Sequence, residues 1–248
     1  MRLILTSYID IYDKDGMGNK LAKNFGNENE ILDNIKKYVQ KYDNFLFVAS
    51  DEYNTEATDK YANLTFESFN MTLPFKNYNI LDSRTKHLAN KLVQNADLIF
   101  LCGGHVPTQN QFFNNINLRD IIKNTNALII GGSAGAMNMA DTVYCPPDLE
   151  GEGIDPKFNR FYKGLGLTNI NVLPHYDVVK DYYVDGKHLV NEFVIPDSYK
   201  IDIYAINNGS YILIDDDNAI NIYGEAYLIK DGKITKINDS DMKKTMVM

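Results

Sequence analysis

Short apolar runs separated by amphipathic segments are the feature that most constrains the fold of this chain. The runs occupy residues 3–5, 45–49, 78–81, 98–102, 128–130 and 170–173, and they are rich in Ile, Leu, Phe and Val. Continuous apolar runs of this length are typical of strands buried on both faces. Between two of them, Ile31, Ile35 and Val39 lie on one helical stripe. The alternation predicts an α/β fold with a mostly parallel, doubly wound sheet.

The pattern changes towards the C-terminus. In residues 201–237, short apolar runs are broken by Asn-Gly, Asp-Asp, Gly-Glu and Asp-Gly pairs. Such pairs are typical of hairpin turns, so we expect a C-terminal antiparallel β extension of the same sheet. A chain of 248 residues is long enough for one α/β core. We therefore predict that residues 1–248 form a single α/β domain.

Composition narrows the class of partner. Twenty-five basic against thirty-three acidic side chains give a net charge of −8, which repels nucleic acid and anionic membrane surfaces. No window approaches the roughly 18 apolar residues of a membrane span, and the N-terminus lacks a signal-peptide pattern. Cys102 and Cys145 are too few for a disulfide framework and lack metal-ligand spacing, so we expect a reducing cytoplasm. A homodimer is left open.

The sequence Gly-Gly-Ser-Ala-Gly at residues 131–135 lies between an apolar run and small helix-forming residues. It satisfies the Gly-x-Ser-x-Gly pattern of a nucleophile on a strand-to-helix turn, with Ser133 at the centre. The N–H of Ala134 is suited to stabilising a developing oxyanion. The alternative is an ordinary βα loop that holds an anion at a helix N-terminus.

A serine hydroxyl needs a base, and His175 is the best candidate. It follows the run at residues 170–173, which we take as a strand of the parallel sheet whose end shares a rim with the serine turn. His105 follows the pair Gly103-Gly104 at another strand end, so we also place it on this rim. For His87 and His188 a structural or surface role is favoured.

The remaining groups of a hydrolytic site are less determined. Gly104 is suited to a second oxyanion donor because no side chain blocks a carbonyl there, although a turn with positive φ explains it equally well. Candidates for the acid that would orient the histidine lie between Ser133 and His175 in the chain. The sequence alone does not choose among the carboxylates of that segment, which are Asp141, Asp148, Glu150, Glu152 and Asp155.

Four segments together resemble the peptidase E (aspartyl dipeptidase) and cyanophycinase family of serine peptidases. They are LIFLCGGHVPTQNQFF, IIGGSAGAMNMA, GLGLTNINVLPHYD and the closing YAINNGSYILID with GEAYLIKDGKI. The resemblance implies a sheet like that of class I glutamine amidotransferases, with a serine in place of their cysteine. It also implies Ser133 as nucleophile, His175 as base, Gly104 and Ala134 as oxyanion donors, and an acid near Asp148 or Glu152. Peptidase E has Gly-Gly-Asn where this chain has Gly-Gly-His.

We therefore predict a cofactor-free serine dipeptidase or exopeptidase acting on short peptides, with Gly103 and His105 contacting substrate and an N-terminal aspartate preference left open. No metal is expected, because His-Glu-x-x-His is absent from the sequence. One alternative is a catalytically silent protein that binds a small ligand on the same sheet. Another is an α/β-hydrolase esterase, disfavoured because about 70 mostly strand-like residues follow His175. A Ser133–His175 separation of about 3 Å would favour a peptidase over the silent protein.

Overall fold

The secondary structure of this computed structural model is described for residues 1–240 and 242–246. The strands are β1 (Arg2–Thr6), β2 (Tyr12–Lys14), β3 (Lys20–Ala22), β4 (Asn44–Val48), β5 (Asn77–Leu81), β6 (Leu98–Leu101), β7 (Leu128–Gly132), β8 (Thr142–Tyr144), β9 (Phe161–Lys163), β10 (Asn171–Leu173), β11 (Tyr183–Val184), β12 (Lys187–His188), β13 (Ile203–Ile206), β14 (Tyr211–Ile214), β15 (Ile220–Tyr223), β16 (Ala226–Lys230), β17 (Lys233–Asn238) and β18 (Lys243–Met246). The helices are α1 (Ile31–Tyr38), α2 (Thr55–Thr72), α3 (Ala89–Asn95), α4 (Val106–Asn115), α5 (Leu118–Ile122), α6 (Ala134–Met137), α7 (Tyr176–Val179) and α8 (Ile195–Asp197).

An eight-stranded sheet of order β18-β15-β14-β1-β7-β6-β4-β5 forms the centre of the fold. Five neighbouring strands of this sheet, β1, β7, β6, β4 and β5, run parallel to one another. The strands β14, β15 and β18 add to the other side of β1 in antiparallel orientation. The predicted α/β fold, with a mostly parallel sheet and C-terminal antiparallel strands, is confirmed.

Both faces of the central sheet are covered, which explains the uninterrupted apolar runs. Along β1, Leu3 and Leu5 pack into one hydrophobic cluster, whereas Ile4 packs into the cluster on the opposite face. Side chains of α3, α4 and α5 belong to the first cluster, and side chains of α1 and α2 belong to the second. Because successive strand residues point to opposite faces, consecutive positions within such a strand are apolar.

A second sheet of order β10-β13-β16-β17 lies outside the central one. The run at residues 170–173, expected to join the central parallel sheet, instead contributes β10 to this sheet, where it pairs with β13 in parallel. A separate cluster explains the placement, because Leu173 packs there with Ile203, Val190 and Phe193. The segment that carries His175 therefore approaches the rim of the central sheet from the second sheet.

Strand register brings three strand ends to one edge. Thr6 at the end of β1 faces Gly132 of β7, and Leu101 at the end of β6 faces Gly131. The carboxyl edge of an open α/β sheet is where loops converge on ligands. The turns after β1, β6 and β7 are therefore neighbours, and we call this edge the rim.

Candidate active site

Ser133 occupies the turn between β7 and α6. Its φ of 51° and ψ of −116° lie outside the regions that non-glycine residues favour. Its N–H donates to the carbonyl of Thr6 at 2.8 Å, which ties the strained residue to β1. A Cβ at Gly131 would lie 2.6 Å from a backbone nitrogen of α6, and one at Gly135 would collide with the carbonyl of Leu101. The small residues of the turn are therefore required by close packing.

His175 faces Ser133 across the rim. Its Nε2 lies 3.0 Å from the Oγ of Ser133. The residue has a left-handed φ of 56° at the start of α7. Its N–H donates to the Oγ of Ser7 at 3.0 Å, and that hydroxyl donates to the carbonyl of Ile206 at 2.8 Å. Hydrogen bonds to both sheets thus hold the backbone of this histidine beside the serine.

The second ring nitrogen of His175 contacts an amide that sequence reasoning missed. Nδ1 lies 2.6 Å from the Oδ1 of Asn208. The amide Nδ2 and the backbone N–H of Asn208 in turn donate to the two carboxylate oxygens of Asp177 at 3.1 and 3.0 Å. Leu173 faces Ala205 in the parallel pair β10–β13. His175 and Asn208 therefore follow neighbouring strand ends at one edge of the second sheet. The sequence signal here was an Asn-Gly pair, which indicates a turn.

The two acids favoured from the sequence lie on the other side of the site. An oxygen of Glu152 is 2.8 Å from Nε2 of His105, and its second oxygen accepts the N–H groups of Asp148 and Leu149 at 2.8 and 3.0 Å. Nδ1 of the same histidine is 2.8 Å from the Oγ1 of Thr108. Within the described residues neither carboxylate hydrogen-bonds His175. The position expected for an acid of this loop is occupied by Asn208, because the loop packs against the segment after β6.

The glycine pair after β6 packs directly against the serine turn. Gly104 has a φ of 156°, and a Cβ there would lie 2.6 Å from the side chain of Ser50. A Cβ at Gly103 would lie 3.3 Å from the Cβ of Ser133. Gly104 and Ala134 line the same depression as Ser133. Donors to one oxyanion must lie beside the same nucleophile, and both residues meet this condition of position.

Two depressions meet at Ser133 and His175. The larger depression has a volume of about 320 Å³, and its walls include Tyr8, Ile9, Ile11, Tyr12, Tyr61 and Phe100. The smaller depression has a volume of about 90 Å³, and its walls include Val106, Met137, Asp148, Leu173, Val179 and Leu189. Because both depressions reach the same two side chains, a bound peptide has room on either side of Ser133.

Both cysteines also line these depressions, Cys102 the larger and Cys145 the smaller. Burial raises the pKa of Cys102 to about 12 and raises that of Cys145 as well. The thiolate is the nucleophilic form of cysteine, so a raised pKa leaves both groups unreactive at neutral pH. Among the serine and cysteine side chains that line the depressions in the described residues, Ser133 is the one whose side chain contacts a histidine ring.

The two histidines assigned structural roles lie outside both depressions. His87 is exposed in a 3₁₀ turn before α3, and the ring of His188 contacts that of Tyr183 edge to face.

Within residues 1–240 and 242–246, no group of three or more His, Cys, Asp or Glu side chains is arranged to hold a metal ion. In the same residues, no helix combines the length and apolar character needed to cross a bilayer.

Known proteins share this architecture. A peptidase from an acI-B1 Actinobacterium matches with a TM-score of 0.68 and 14% identity over 99% of this chain and 96% of its own. A candidate peptidase E protein from Listeria monocytogenes EGD-e matches with a TM-score of 0.56 and 16% identity over 96% of this chain and 98% of its own. At such identities the likeness establishes the fold. No curated protein sequence matches the chain.

The sequence itself carries the family relationship. The model of the family described as Peptidase family S51 matches residues 17–222. That range includes Ser133 and His175, and it spans most of the central sheet and the first strands of the second. The resemblance to the peptidase E and cyanophycinase family is thereby confirmed. The chain belongs to peptidase family S51, a family of serine hydrolases that act on peptides.

Proposed function

We propose that this S51 peptidase is a dipeptidase or exopeptidase that uses Ser133 as nucleophile and His175 as general base. The observation that carries the proposal is the 3.0 Å separation of Ser133 Oγ and His175 Nε2, on a strand-to-helix turn where Ser133 has a φ of 51°. A nucleophile within hydrogen-bond reach of its base is the geometric requirement of this chemistry. A silent binding protein has no need of it, which favours an enzyme.

The proposed reaction is acyl transfer. Ser133 Oγ attacks the peptide carbonyl while its proton passes to His175, and N–H groups of Gly104 and Ala134 stabilise the oxyanion. The imidazolium then protonates the leaving amine as the C–N bond breaks. Water then attacks the resulting ester and gives its proton to His175, which passes it to Ser133 Oγ as the ester C–O bond breaks and the acid is released. Asn208 takes the orienting position in place of Asp148 or Glu152.

The site draws on both sheets, which supports treating the chain as one hydrolytic domain. Ser133 and the hydroxyl of Ser7 come from turns of the central sheet, whereas His175 and Asn208 follow strands of the second sheet. Separation of the sheets would remove the base from the nucleophile. We therefore propose that the two sheets act together in catalysis.

The proposal is tested with Ser133→Ala on a panel of dipeptides that differ in the N-terminal residue. We expect kcat/KM to fall by about a thousandfold or more, with an unchanged unfolding midpoint, because the hydroxyl acts in the covalent step. Ser240→Ala, which changes an exposed serine of a C-terminal turn, is the matched control. Wild-type turnover by Ser133→Ala would overturn the nucleophile assignment, and an inactive wild-type protein would favour the silent binding protein.

A further inference from the structure

The charges around Ser133 bear on which peptides fit the site. Among the described residues, the lining of the two depressions contains no lysine or arginine, and Asp148 is its one carboxylate. Burial raises the pKa of Tyr8 to about 12, so this phenol of the larger depression is uncharged at neutral pH. An acidic side chain moved from water into either depression loses hydration and gains no cation in return.

A cation close to the larger depression, Lys20, is already engaged. The ammonium of Lys20 lies 4.3 Å from the ring centroids of both Tyr12 and Tyr61, and it donates to the hydroxyl of Tyr61. Lys20 therefore contacts the outer tyrosines of the larger depression and is not part of its lining. Its charge is stabilised by those rings.

Size separates the two depressions further. An apolar cavity of about 150 Å³ holds a benzene ring. The smaller depression, at about 90 Å³, suits an aliphatic side chain, while the larger one, at about 320 Å³ and lined by aromatic rings, accommodates an aromatic side chain. The sizes match two neighbouring apolar residues of one short peptide.

We propose that the substrates are short peptides with uncharged, apolar residues on both sides of the scissile bond, an aliphatic one in the smaller depression and an aromatic one in the larger. This inference rests on the proposed function. It excludes a preference for an N-terminal aspartate, because an acidic side chain meets Asp148 in the smaller depression and no cation in either.

The test uses Val-Phe and Phe-Val against Asp-Phe and Phe-Asp, because valine and aspartate are similar in size and differ in charge. We expect the better neutral dipeptide to exceed its aspartate counterpart in kcat/KM by about tenfold or more. Val179→Lys, which places a cation in the wall of the smaller depression, should shift this ratio about tenfold towards aspartate. Val178→Lys, at a 61% exposed neighbour outside the lining, should leave it unchanged.

The outcomes separate the two proposals. A wild-type protein that prefers the aspartate dipeptides would overturn the substrate class and leave the peptidase function intact. Equal shifts of the ratio by Val179→Lys and Val178→Lys would also overturn the substrate class, since a long-range effect of the added charge would then explain the shift. A wild-type protein that cleaves none of the four dipeptides, nor longer apolar peptides, would contradict the proposed function itself.

An independent observation concerns the amide beside His175. A carboxylate only accepts hydrogen bonds, so the atom of Asn208 that faces Asp177 must be the NH₂ group. The amide oxygen then faces Nδ1 of His175, which must carry the proton. Nε2 is left with a free lone pair directed at Ser133. The reversed amide would donate to Nδ1 and leave the proton on Nε2, where the ring accepts nothing from the serine.

We infer that Asp177 is a positioning residue, which fixes the amide of Asn208 and through it the tautomer of His175. An amide differs from the acid of other serine triads because only one of its two orientations supports catalysis. A wrong tautomer costs a serine protease about four orders of magnitude in kcat. Asp177 removes that ambiguity with two hydrogen bonds, one to the side chain and one to the backbone of Asn208.

Asp177→Ala should lower kcat about tenfold with little change in KM, because the amide then populates both orientations. Asp181→Ala, at an exposed carboxylate further along the same segment, is the control and should keep wild-type turnover. The decisive variant is Asp177→Ala combined with Asn208→Asp, since a carboxylate accepts from Nδ1 in either orientation. We expect it to restore kcat and to move the pH–rate profile to higher pH, because a carboxylate favours the charged imidazole.

A merely structural role predicts a different result. If Asp177 only holds the turn that carries Asn208, the added Asn208→Asp change rescues nothing, and the positioning role is overturned. Unchanged kcat in Asp177→Ala would overturn it too. If the wild-type protein hydrolyses no peptide, the failure lies with the proposed function instead.

Discussion

Two histidines lie at the same rim, and their surroundings differ in one decisive respect. His175 has one ring nitrogen on Ser133 and the other on Asn208. His105 has both ring nitrogens on fixed partners, one on Thr108 and one on Glu152. His105 thus has the carboxylate expected of a triad histidine, but the hydroxyl that it contacts, on Thr108, lies within α4 and lines neither depression. The comparison teaches that contact with the nucleophile identifies the base, whereas an adjacent acid does not.

The two segments also differ in how the fold positions them. His105 directly precedes α4 after β6 of the central sheet, and the Glu152 loop packs onto it. His175 follows β10 of the second sheet, and its partner Asn208 follows the parallel neighbour β13. The base and its orienting amide therefore come from adjacent strand ends, which is the usual way in which open sheets assemble a site.

The largest expected effect separates the two histidines directly. His175→Ala should lower kcat/KM for a cleaved dipeptide by about a thousandfold or more, because the serine loses its base. His105→Ala should raise KM several-fold and keep measurable turnover, because we expect it to position substrate. Steady-state kinetics of both variants decide the matter. An inactive His105→Ala beside an active His175→Ala would reverse the two roles.

Double variants sharpen the same comparison. Ser133→Ala with His175→Ala should be no slower than either single variant, since each residue is ineffective without the other. His105→Ala should instead add its own loss to a weakened Ser133→Cys background, as independent sites do. Kinetics of all the variants on one dipeptide measure the coupling. Additive losses for Ser133 and His175 would mean that they do not act as a unit.

A moderate effect is expected from Glu152→Ala. Its carboxylate, with a side chain 15% exposed, holds the N–H groups of Asp148 and Leu149 and the ring of His105. Loss of these contacts should lower the free energy of unfolding by about 1–3 kcal/mol, measured by denaturant titration, while turnover persists. Glu150→Ala, at an exposed acid of the same loop, should change little. If the Glu152→Ala variant folds and is as inactive as His175→Ala, Glu152 would have to be assigned as the acid of the triad.

Local sequence pattern was sufficient to predict the central strands and the serine turn. Residues 45–49 and 128–130 are apolar because β4 and β7 are covered on both faces, and this pattern needs no knowledge of distant residues. The glycines around Ser133 are likewise explained by contacts within the turn and the adjacent strand. Features set by neighbours in the chain are thus visible in the sequence.

Long-range pairings were not predictable in this way. A three-residue strand such as β10 has the same sequence pattern in either sheet, so the pattern does not reveal that it pairs with β13. Asn208 reads as part of an Asn-Gly turn, and its approach to His175 depends on that pairing. The contact of Glu152 with His105 similarly joins residues far apart in the chain. Sequence reasoning therefore looked for the acid in the nearest acidic loop.

The smallest expected effect is that of thiol reagents on the wild-type protein. Cys102 and Cys145 are 6% and 2% exposed, and burial raises the pKa of both, that of Cys102 to about 12. Because only the thiolate reacts, the raised pKa leaves very little of either thiol in the reactive form at pH 8. Iodoacetamide at this pH should leave peptide hydrolysis unchanged, and intact mass should show no adduct.

Alkylation of the Ser133→Cys variant by iodoacetamide measures how each of the two histidines acts on the nucleophile. A thiol beside an imidazole is activated by it, so Ser133→Cys should be alkylated far faster than the native cysteines. The added change His175→Ala should slow alkylation towards the native rate, whereas His105→Ala should leave it fast, because its ring nitrogens are directed at Thr108 and Glu152. Equal slowing by both changes would mean that the two histidines act on the nucleophile alike. That result would remove the distinction on which the assignment of the base depends.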